Sequence, residues 1–252
     1  MERRSLVVVT AGLGQPSSTR LLADRLAAAT ERHLRGAGDD VEVEVIEQEA
    51  RPLAAEGLVV SVPPFMTEIV AEVSQLARRS PHINQRSGVS ARLSISNYET
   101  LVANATRRAL LHGEREVVPR VSDLDALAAS TGGKVEIETL DDGRDNQVLE
   151  RVVKAAVLEV FRARVRPEKL GPIVASFEEG FVVHAGEDVS SADYRDLMAK
   201  LEGVGPVLAD LAVGESPAGI ASGIEFVLEG LHLTKRLNKD AVGSRATYRA
   251  RG

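Results

Sequence analysis

The stretch FMTEIVAEVSQLARR, residues 65–79, decides the fold class of most of this 252-residue chain. Its apolar residues Phe65, Ile69, Val73 and Leu76 recur every three or four positions, and polar or charged residues lie between them. This spacing places the apolar side chains on one face of an α-helix. The segment therefore predicts an amphipathic helix with one buried face.

Further segments on the C-terminal side have the same helical spacing. Residues 80–114 begin as a polar loop and continue as a long helix that stops at Gly113, with an apolar stripe of Leu93, Tyr98, Leu101, Val102, Ala105 and Ala109. Residues 146–165 and 190–201 also predict helices, and the tail has an apolar stripe of Phe226, Val227, Leu228, Leu231 and Leu237. Together these patterns predict a mostly α-helical body. The tail stripe is interpreted as a packing face on this body or on a neighbouring subunit.

Shorter signals lie between these helices. Ser122 is predicted to be the N-cap of a helix in SDLDALAA, because a serine hydroxyl can accept a hydrogen bond from a free backbone N–H group. Residues 57–63, GLVVSVP, predict a strand, and residues 117–119 a short extended piece. The basic residues of the tail (Lys235, Arg236, Lys239, Arg245, Arg249 and Arg251) predict a solvated segment.

The N-terminal residues have a different pattern. Residues 6–9, LVVV, predict a strand that is buried on both faces. A loop with Gly12 and Gly14 leads into a leucine-rich helix that ends near residue 36. Residues 41–46, VEVEVI, alternate between apolar and acidic residues, which is typical of a strand with one exposed face. The order is therefore β-α-β, and the start of the helix has the hydroxyls and free N–H groups of an anion site.

The composition excludes several kinds of site and partner. The chain has no cysteine, which excludes disulfides, iron–sulfur clusters and thiolate zinc sites. No apolar run approaches the roughly 18 residues of a membrane span, so we expect a cytoplasmic protein that does not contact a membrane. The net charge of −6 argues against nucleic acid as a partner. The five histidines form no metal-binding motif, so no metal site is predicted.

The segment SLVVVTAGLGQPSSTRLLADRLAAAT, followed by VEVEVIE, resembles the first β-α-β unit of NADPH-dependent FMN reductases, which have the flavodoxin-like fold. In that family the loop after the first strand holds the flavin phosphate. The resemblance implies FMN and NADPH as cofactors. It assigns the flavin phosphate to Gln15, Ser17, Ser18, Thr19 and Arg20.

Residues 63–252 resemble the C-terminal half of AAA+ ATPases related to the magnesium-chelatase ATPase subunit. The resemblance rests on FMTEIVAEVSQLARRSPHINQRSGVSARLSISNYETLVANA, EVVPRVSDLDALAASTGGKVEIETL and GLHLTKRLNKDAVG. In such ATPases the helical lid has a phosphate-sensing arginine after a Gly-x-Ser-x-Arg turn. The resemblance assigns this role to Arg92, after Gly88 and Ser90, with Arg86 as an auxiliary cation. It also implies ATP with magnesium as the ligand, and assembly into ring oligomers.

The motifs that hydrolyse ATP in such proteins do not occur in this sequence. The phosphate loop has the form G-x-x-x-x-G-K-[ST]. The nearest segment, AASTGGKV, has Ala128 in place of the first glycine and Val135 in place of the serine or threonine. No apolar strand ends in the acidic pair that would hold magnesium. No catalytic residue is therefore assigned.

These observations predict a composite chain. Residues 1–62 are a flavodoxin-like β-α-β fragment (α/β), residues 63–165 an AAA+ lid-like helical region, and residues 166–252 a C-terminal helical region. The predicted function is that of a magnesium-chelatase-like AAA+ fragment that does not hydrolyse ATP by itself. One alternative is an FMN reductase-like flavoprotein with an aberrant C-terminal region. The other is a non-catalytic assembly module, whose helical body forms a homo- or hetero-oligomer.

Overall fold

The computed structural model describes residues 41–53, 55–83, 91–132, 134–135 and 145–251. The chain divides into two compact units, Met1–Ala50 and Arg51–Gly252. The boundaries predicted at residues 62 and 165 stay predictions, although residues 63–252 all lie within the second unit. The predicted strand at residues 6–9 and the helix that follows it lie outside the described residues.

In the first unit, the described helix is α1, Val41–Glu49. The strand predicted for residues 41–46 is therefore wrong. Four glutamates and a glutamine occupy the nine positions of α1, and both residue types have a high helix propensity. Gln48 Nε2 also donates a 2.9 Å hydrogen bond to Glu44 Oε1 one turn earlier. Helix propensity and this local pair outweigh an alternation of only six residues.

The second unit is mostly helical, as predicted. Its α-helices are α2 Pro64–Arg79, α3 Ala91–His112, α4 Ala126–Gly132, α5 Asp145–Arg164, α6 Gly171–Glu178, α7 Ser191–Lys200, α8 Val204–Asp210 and α9 Pro217–Leu233. Two 3₁₀ turns lie at Val121–Asp125 and Pro167–Lys169. None of the helices in the described ranges has the length and apolarity needed to cross a membrane.

In the part of the chain that the structure describes, five short strands accompany the helices. Strands β1, Val59–Val60, and β2, Glu116–Val117, form a parallel pair. Strand β1 lies within the predicted strand at residues 57–63, and β2 shares Val117 with the extended piece predicted at residues 117–119. Strands β3 Val183–Gly186, β4 Leu237–Val242 and β5 Arg245–Ala250 form an antiparallel sheet in the order β3-β5-β4.

The β4–β5 hairpin corrects one prediction for the end of the chain. Leu237 begins β4 and does not belong to the tail helix. The basic residues of the tail lie in and around the hairpin and, apart from the half-buried Lys239, they are exposed, as a solvated segment requires. The hairpin turns at Gly243, whose φ of +60° suits a residue without a Cβ atom. The helix before it ends at Leu233. The two strands of the hairpin contain too few buried residues to show a clear alternation of apolar and polar positions.

Helix α9 is the centre of the second unit. Fourteen of its residues are buried, and it packs against α5, α7 and β4. The Phe226 ring stacks on Phe65 of α2 with 4.3 Å between centroids and meets the edge of Phe161 of α5 at 5.7 Å. A Cβ atom at Gly230 would overlap the Phe161 ring, so only glycine allows this approach of α9 to α5.

The starts of two helical segments show which residues cap them. Ser190 precedes α7, and its Oγ accepts a 3.4 Å hydrogen bond from the Asp193 N–H, so Ser190 is the N-cap of this helix. Ser122 is not the predicted N-cap, because it lies inside the 3₁₀ turn that Arg120 precedes. In this turn the Asp123 carboxylate accepts a 2.8 Å hydrogen bond from the N–H of Arg120, the N-cap residue.

Candidate functional site

The structure describes one of the residues assigned by resemblance. Gln15, Ser17, Ser18, Thr19, Arg20 and Arg86 lie outside the described residues. Arg92 is exposed in the first turn of α3, and this turn contains no acidic residue. The free N–H groups and the helix dipole at such a terminus favour an anion. The position is therefore chemically suited to contact with a phosphate.

A network of buried charges lies near the other end of α3. Arg108 is 16 residues beyond Arg92, which corresponds to about 24 Å along a helix axis. The Arg108 side chain is 1% exposed, and Asp123 is fully buried. Arg108 Nη2 and Nε donate hydrogen bonds of 2.9 and 3.2 Å to the two Asp123 oxygens. This bidentate ion pair fixes α3 to the 3₁₀ turn.

The electrostatics of Arg108 agree with this geometry. Burial by itself would lower the pKa of Arg108, but the charge and hydrogen bonds of Asp123 outweigh burial and raise it. Arg108 Nη2 also donates a 2.8 Å hydrogen bond to the Val118 carbonyl. Asp123 accepts a further hydrogen bond of 3.1 Å from Asn104 Nδ2. Both charges are thus compensated inside the protein.

A second fully buried arginine, Arg120, extends the network toward α7. Its Nη1 donates to the Val189 carbonyl at 2.8 Å, and its Nη2 donates to Ser191 Oγ at 2.5 Å. Its guanidinium also lies 5.0 Å from the centre of the Tyr194 ring, a cation–π distance. Since protein groups occupy both terminal nitrogens, this arginine is a structural cation and is not available to a nucleotide phosphate.

Helix α9 contributes two buried carboxylates one turn apart. Glu225 accepts a 2.6 Å hydrogen bond from Tyr194 Oη, and Glu229 accepts one of 2.6 Å from Tyr248 Oη. Burial, together with the neighbouring carboxylate, raises the pKa of each tyrosine, so both phenols stay protonated donors. These pairs tie α9 to α7 and to β5.

Glu187, which directly follows β3, contacts residues in the C-terminal part of α3. It forms a 2.6 Å ion pair with Arg107 and accepts a 3.2 Å hydrogen bond from Asn104. Burial would raise the pKa of Glu187, but the hydrogen bonds from these two residues lower it overall. His112 Nε2 lies 2.7 Å from the Glu187 carbonyl oxygen. The end of α3 is therefore attached to the sheet as well as to the 3₁₀ turn.

Sequence reasoning missed this network. Arg108 follows Arg107 in the chain, and nothing in the pattern indicates which of the two is buried. Glu225 and Glu229 could have been found, because two carboxylates spaced by four lie in an otherwise apolar helix. Charged side chains in such a setting are paired when they are buried.

The described residues show no arrangement suited to a resident metal. Within these ranges no group of three or more histidine, aspartate or glutamate side chains could hold a metal ion. The carboxylates of the buried network are instead paired with arginine, lysine and tyrosine. No protein-family model, curated protein or solved structure matches this chain.

Proposed function

We propose that this chain is the nucleotide-sensing lid and C-terminal region of an AAA+ ATPase that resembles the magnesium-chelatase ATPase subunit. Arg92 contacts the phosphates of ATP, and the chain works within a homo- or hetero-oligomer. The observation that carries the proposal is the position of Arg92, exposed in the first turn of a 22-residue helix.

The two ends of α3 support a sensing role. At its start, the planar guanidinium of Arg92 and the positive end of the helix dipole are suited to phosphate oxygens. At its other end, Arg108 and Glu187 attach the helix to the 3₁₀ turn and to the end of β3. A helix that is anchored in this way moves as one piece with these elements. A phosphate contact at Arg92 would thus be transmitted to the body of the second unit.

The proposal does not include hydrolysis by the chain alone. The sequence contains no phosphate loop, and the described residues offer no group that would hold magnesium. The flavodoxin-like N-terminal fragment, with its flavin phosphate site, remains a separate proposal without support from the described residues. Its second strand would be residues 41–46, which are helical, so the FMN reductase alternative is the weaker of the two.

Binding of a fluorescent ATP analogue tests the proposal. We expect the wild-type chain to bind the analogue and Arg92→Ala to bind it at least about tenfold more weakly, since a charge-assisted contact is lost. Arg195→Ala is the matched control, because Arg195 is an exposed arginine on α7. It should bind like the wild type.

Phosphate release measured with ATP and magnesium completes the test. We expect none above background from the wild-type chain. Equal binding by the Arg92→Ala and Arg195→Ala variants would overturn the sensing role. Magnesium-dependent phosphate release from the purified chain would overturn the statement that it does not hydrolyse ATP.

A further inference from the structure

A cavity of about 530 Å³ lies within the second unit. Its walls are the 3₁₀ turn Val121–Asp125, helix α5, helix α9 and the three-stranded sheet. This volume lies within the usual range for small-molecule sites. Arg92, the described residue that the resemblance assigns to ATP, does not line the cavity.

Part of the wall is apolar. Val121 and Leu124 of the 3₁₀ turn, with Val153 and Val157 of α5, line one side. The aliphatic portion of a ligand would be removed from water against these side chains, which is favourable for each methylene buried. The cavity is therefore suited to a ligand with both a hydrocarbon part and a polar group.

The charges of the lining determine the sign of that polar group. Among the described residues, five carboxylates and three cationic side chains line the cavity. Each of these cations has a carboxylate partner: Lys239–Glu229 at 2.7 Å, Lys154–Glu150 at 3.7 Å and Arg245–Asp188 at 2.7 Å. None of the described lining cations is therefore left over for an anionic ligand. The cavity therefore favours a positively charged ligand.

One carboxylate is available to such a ligand. Asp125 is exposed, and among the described residues it has neither a hydrogen-bond nor an ion-pair partner. It interacts through space with Glu229 of α9, with Glu150 and Lys154 of α5 and with Lys239 of β4, so it faces the other walls of the cavity. A cation that pairs with Asp125 would stabilise its charged form.

The remaining two carboxylates of the lining are already occupied. Glu187 is paired with Arg107 outside the cavity, and Glu225 accepts hydrogen bonds from the Ser122 N–H and Tyr194 Oη. They contribute negative potential without needing a new partner. Asp125 is therefore the point at which a ligand cation gains a direct contact.

We propose that this cavity binds an aliphatic amine, such as a diamine or polyamine, with an ammonium group on Asp125 and the methylenes against the valine and leucine wall. The ammonium replaces the missing partner of Asp125. The excess of carboxylates in the lining attracts a second ammonium group. This binding site is independent of Arg92 and of the proposed nucleotide contact.

Calorimetric titration with spermidine tests the site. We expect saturable binding to the wild type and a Kd at least about tenfold higher for Asp125→Asn, because the variant keeps the shape and loses the charge. Asp196→Asn is the matched control, since Asp196 is an exposed aspartate on α7 that does not line the cavity. It should leave the Kd unchanged.

A second variant tests the site by reducing the size of the cavity instead of its charge. Ala241 is an exposed residue of β4 that lines the cavity, so Ala241→Leu fills part of it without altering any charge. We expect this variant to weaken spermidine binding as well. Three results would each overturn the proposal. They are no spermidine binding by the wild type, equal weakening of binding by Asp125→Asn and Asp196→Asn, and tight binding of glutarate in place of spermidine. If Asp125→Asn does not fold, unchanged binding by Ala241→Leu overturns it.

Discussion

At the scale of single residues, Arg107 and Arg108 occupy neighbouring positions of α3 in opposite environments. The Arg107 side chain is 49% exposed in its ion pair with Glu187, and the Arg108 side chain is 1% exposed in its ion pair with Asp123. Removing one partner of a buried pair leaves a buried charge without compensation, whereas a surface pair contributes little. The two arginines should therefore differ strongly in their contribution to stability.

We expect Arg108→Met to lower the free energy of unfolding by about 3–5 kcal/mol, because Asp123 keeps only the hydrogen bonds from Arg120 and Asn104. Arg107→Met, the matched control, should lower the free energy of unfolding by no more than about 1 kcal/mol. Urea denaturation followed by circular dichroism measures both values. Similar losses for the two variants would show that the Arg108–Asp123 pair is not the anchor of α3.

At the scale of elements, the sequence predicted the long helices and failed where local signals compete. The spacing at Phe65, Ile69 and Val73 identified α2 because a buried helix face repeats every 3.6 residues. Residues 41–46 were misassigned, since six alternating residues carry less information than the helix propensity of glutamate. The β4–β5 hairpin was missed because its position is fixed by pairing with β3, which is distant in the sequence.

The same limit applies to the candidate site. A family resemblance assigned Arg92, and its exposed position in the first turn of α3 agrees with that role. The cavity residue Asp125 was not assigned any role, because the cavity forms from elements separated by more than 100 residues. No local pattern indicates which walls meet. The sequence therefore allowed the exposed Arg92 to be assigned, but it did not predict the cavity.

The junction between β3 and the β4–β5 hairpin depends on Gly186. This residue has φ +138°, and a Cβ atom there would overlap the Ser244 carbonyl oxygen, which accepts a 3.2 Å hydrogen bond from the Glu187 N–H. We expect Gly186→Ala to lower the free energy of unfolding by about 3 kcal/mol or more, through backbone strain and displacement of the hairpin. Thermal unfolding followed by circular dichroism measures the effect.

Gly243 in the same hairpin is the matched control for this substitution. It also has a positive φ of +60°, but a Cβ atom there would meet nothing within 4 Å. Gly243→Ala should therefore lower the free energy of unfolding by about 1 kcal/mol, through backbone strain alone. If both variants lose the same stability, the close approach of Gly186 to Ser244 does not hold the sheet together.

At the scale of the whole molecule, α9 connects parts of the chain that the sequence analysis had assigned to two regions. Phe226 lies after residue 166, and its ring partners Phe65 and Phe161 lie before it. Glu225 of the same helix accepts a 2.9 Å hydrogen bond from the Ser122 N–H. A core that is shared in this way predicts that residues 63–165 and 166–251 unfold together as one cooperative unit.

Phe226→Ala tests this cooperativity. The substitution removes a fully buried ring from between α2 and α5, so we expect a loss of about 3–5 kcal/mol. Hydrogen exchange should then accelerate in α2 and α5 as well as in α9, because the three helices lose the same packing. Phe181→Ala is the control, since the partly buried Phe181 meets the Phe177 ring edge-on, so it should destabilise the unit and accelerate exchange in α2, α5 and α9 much less than Phe226→Ala does. Faster exchange confined to residues 166–251 in Phe226→Ala would mean that the two regions unfold separately, and a signal at Arg92 would then have no common core through which to reach the sheet.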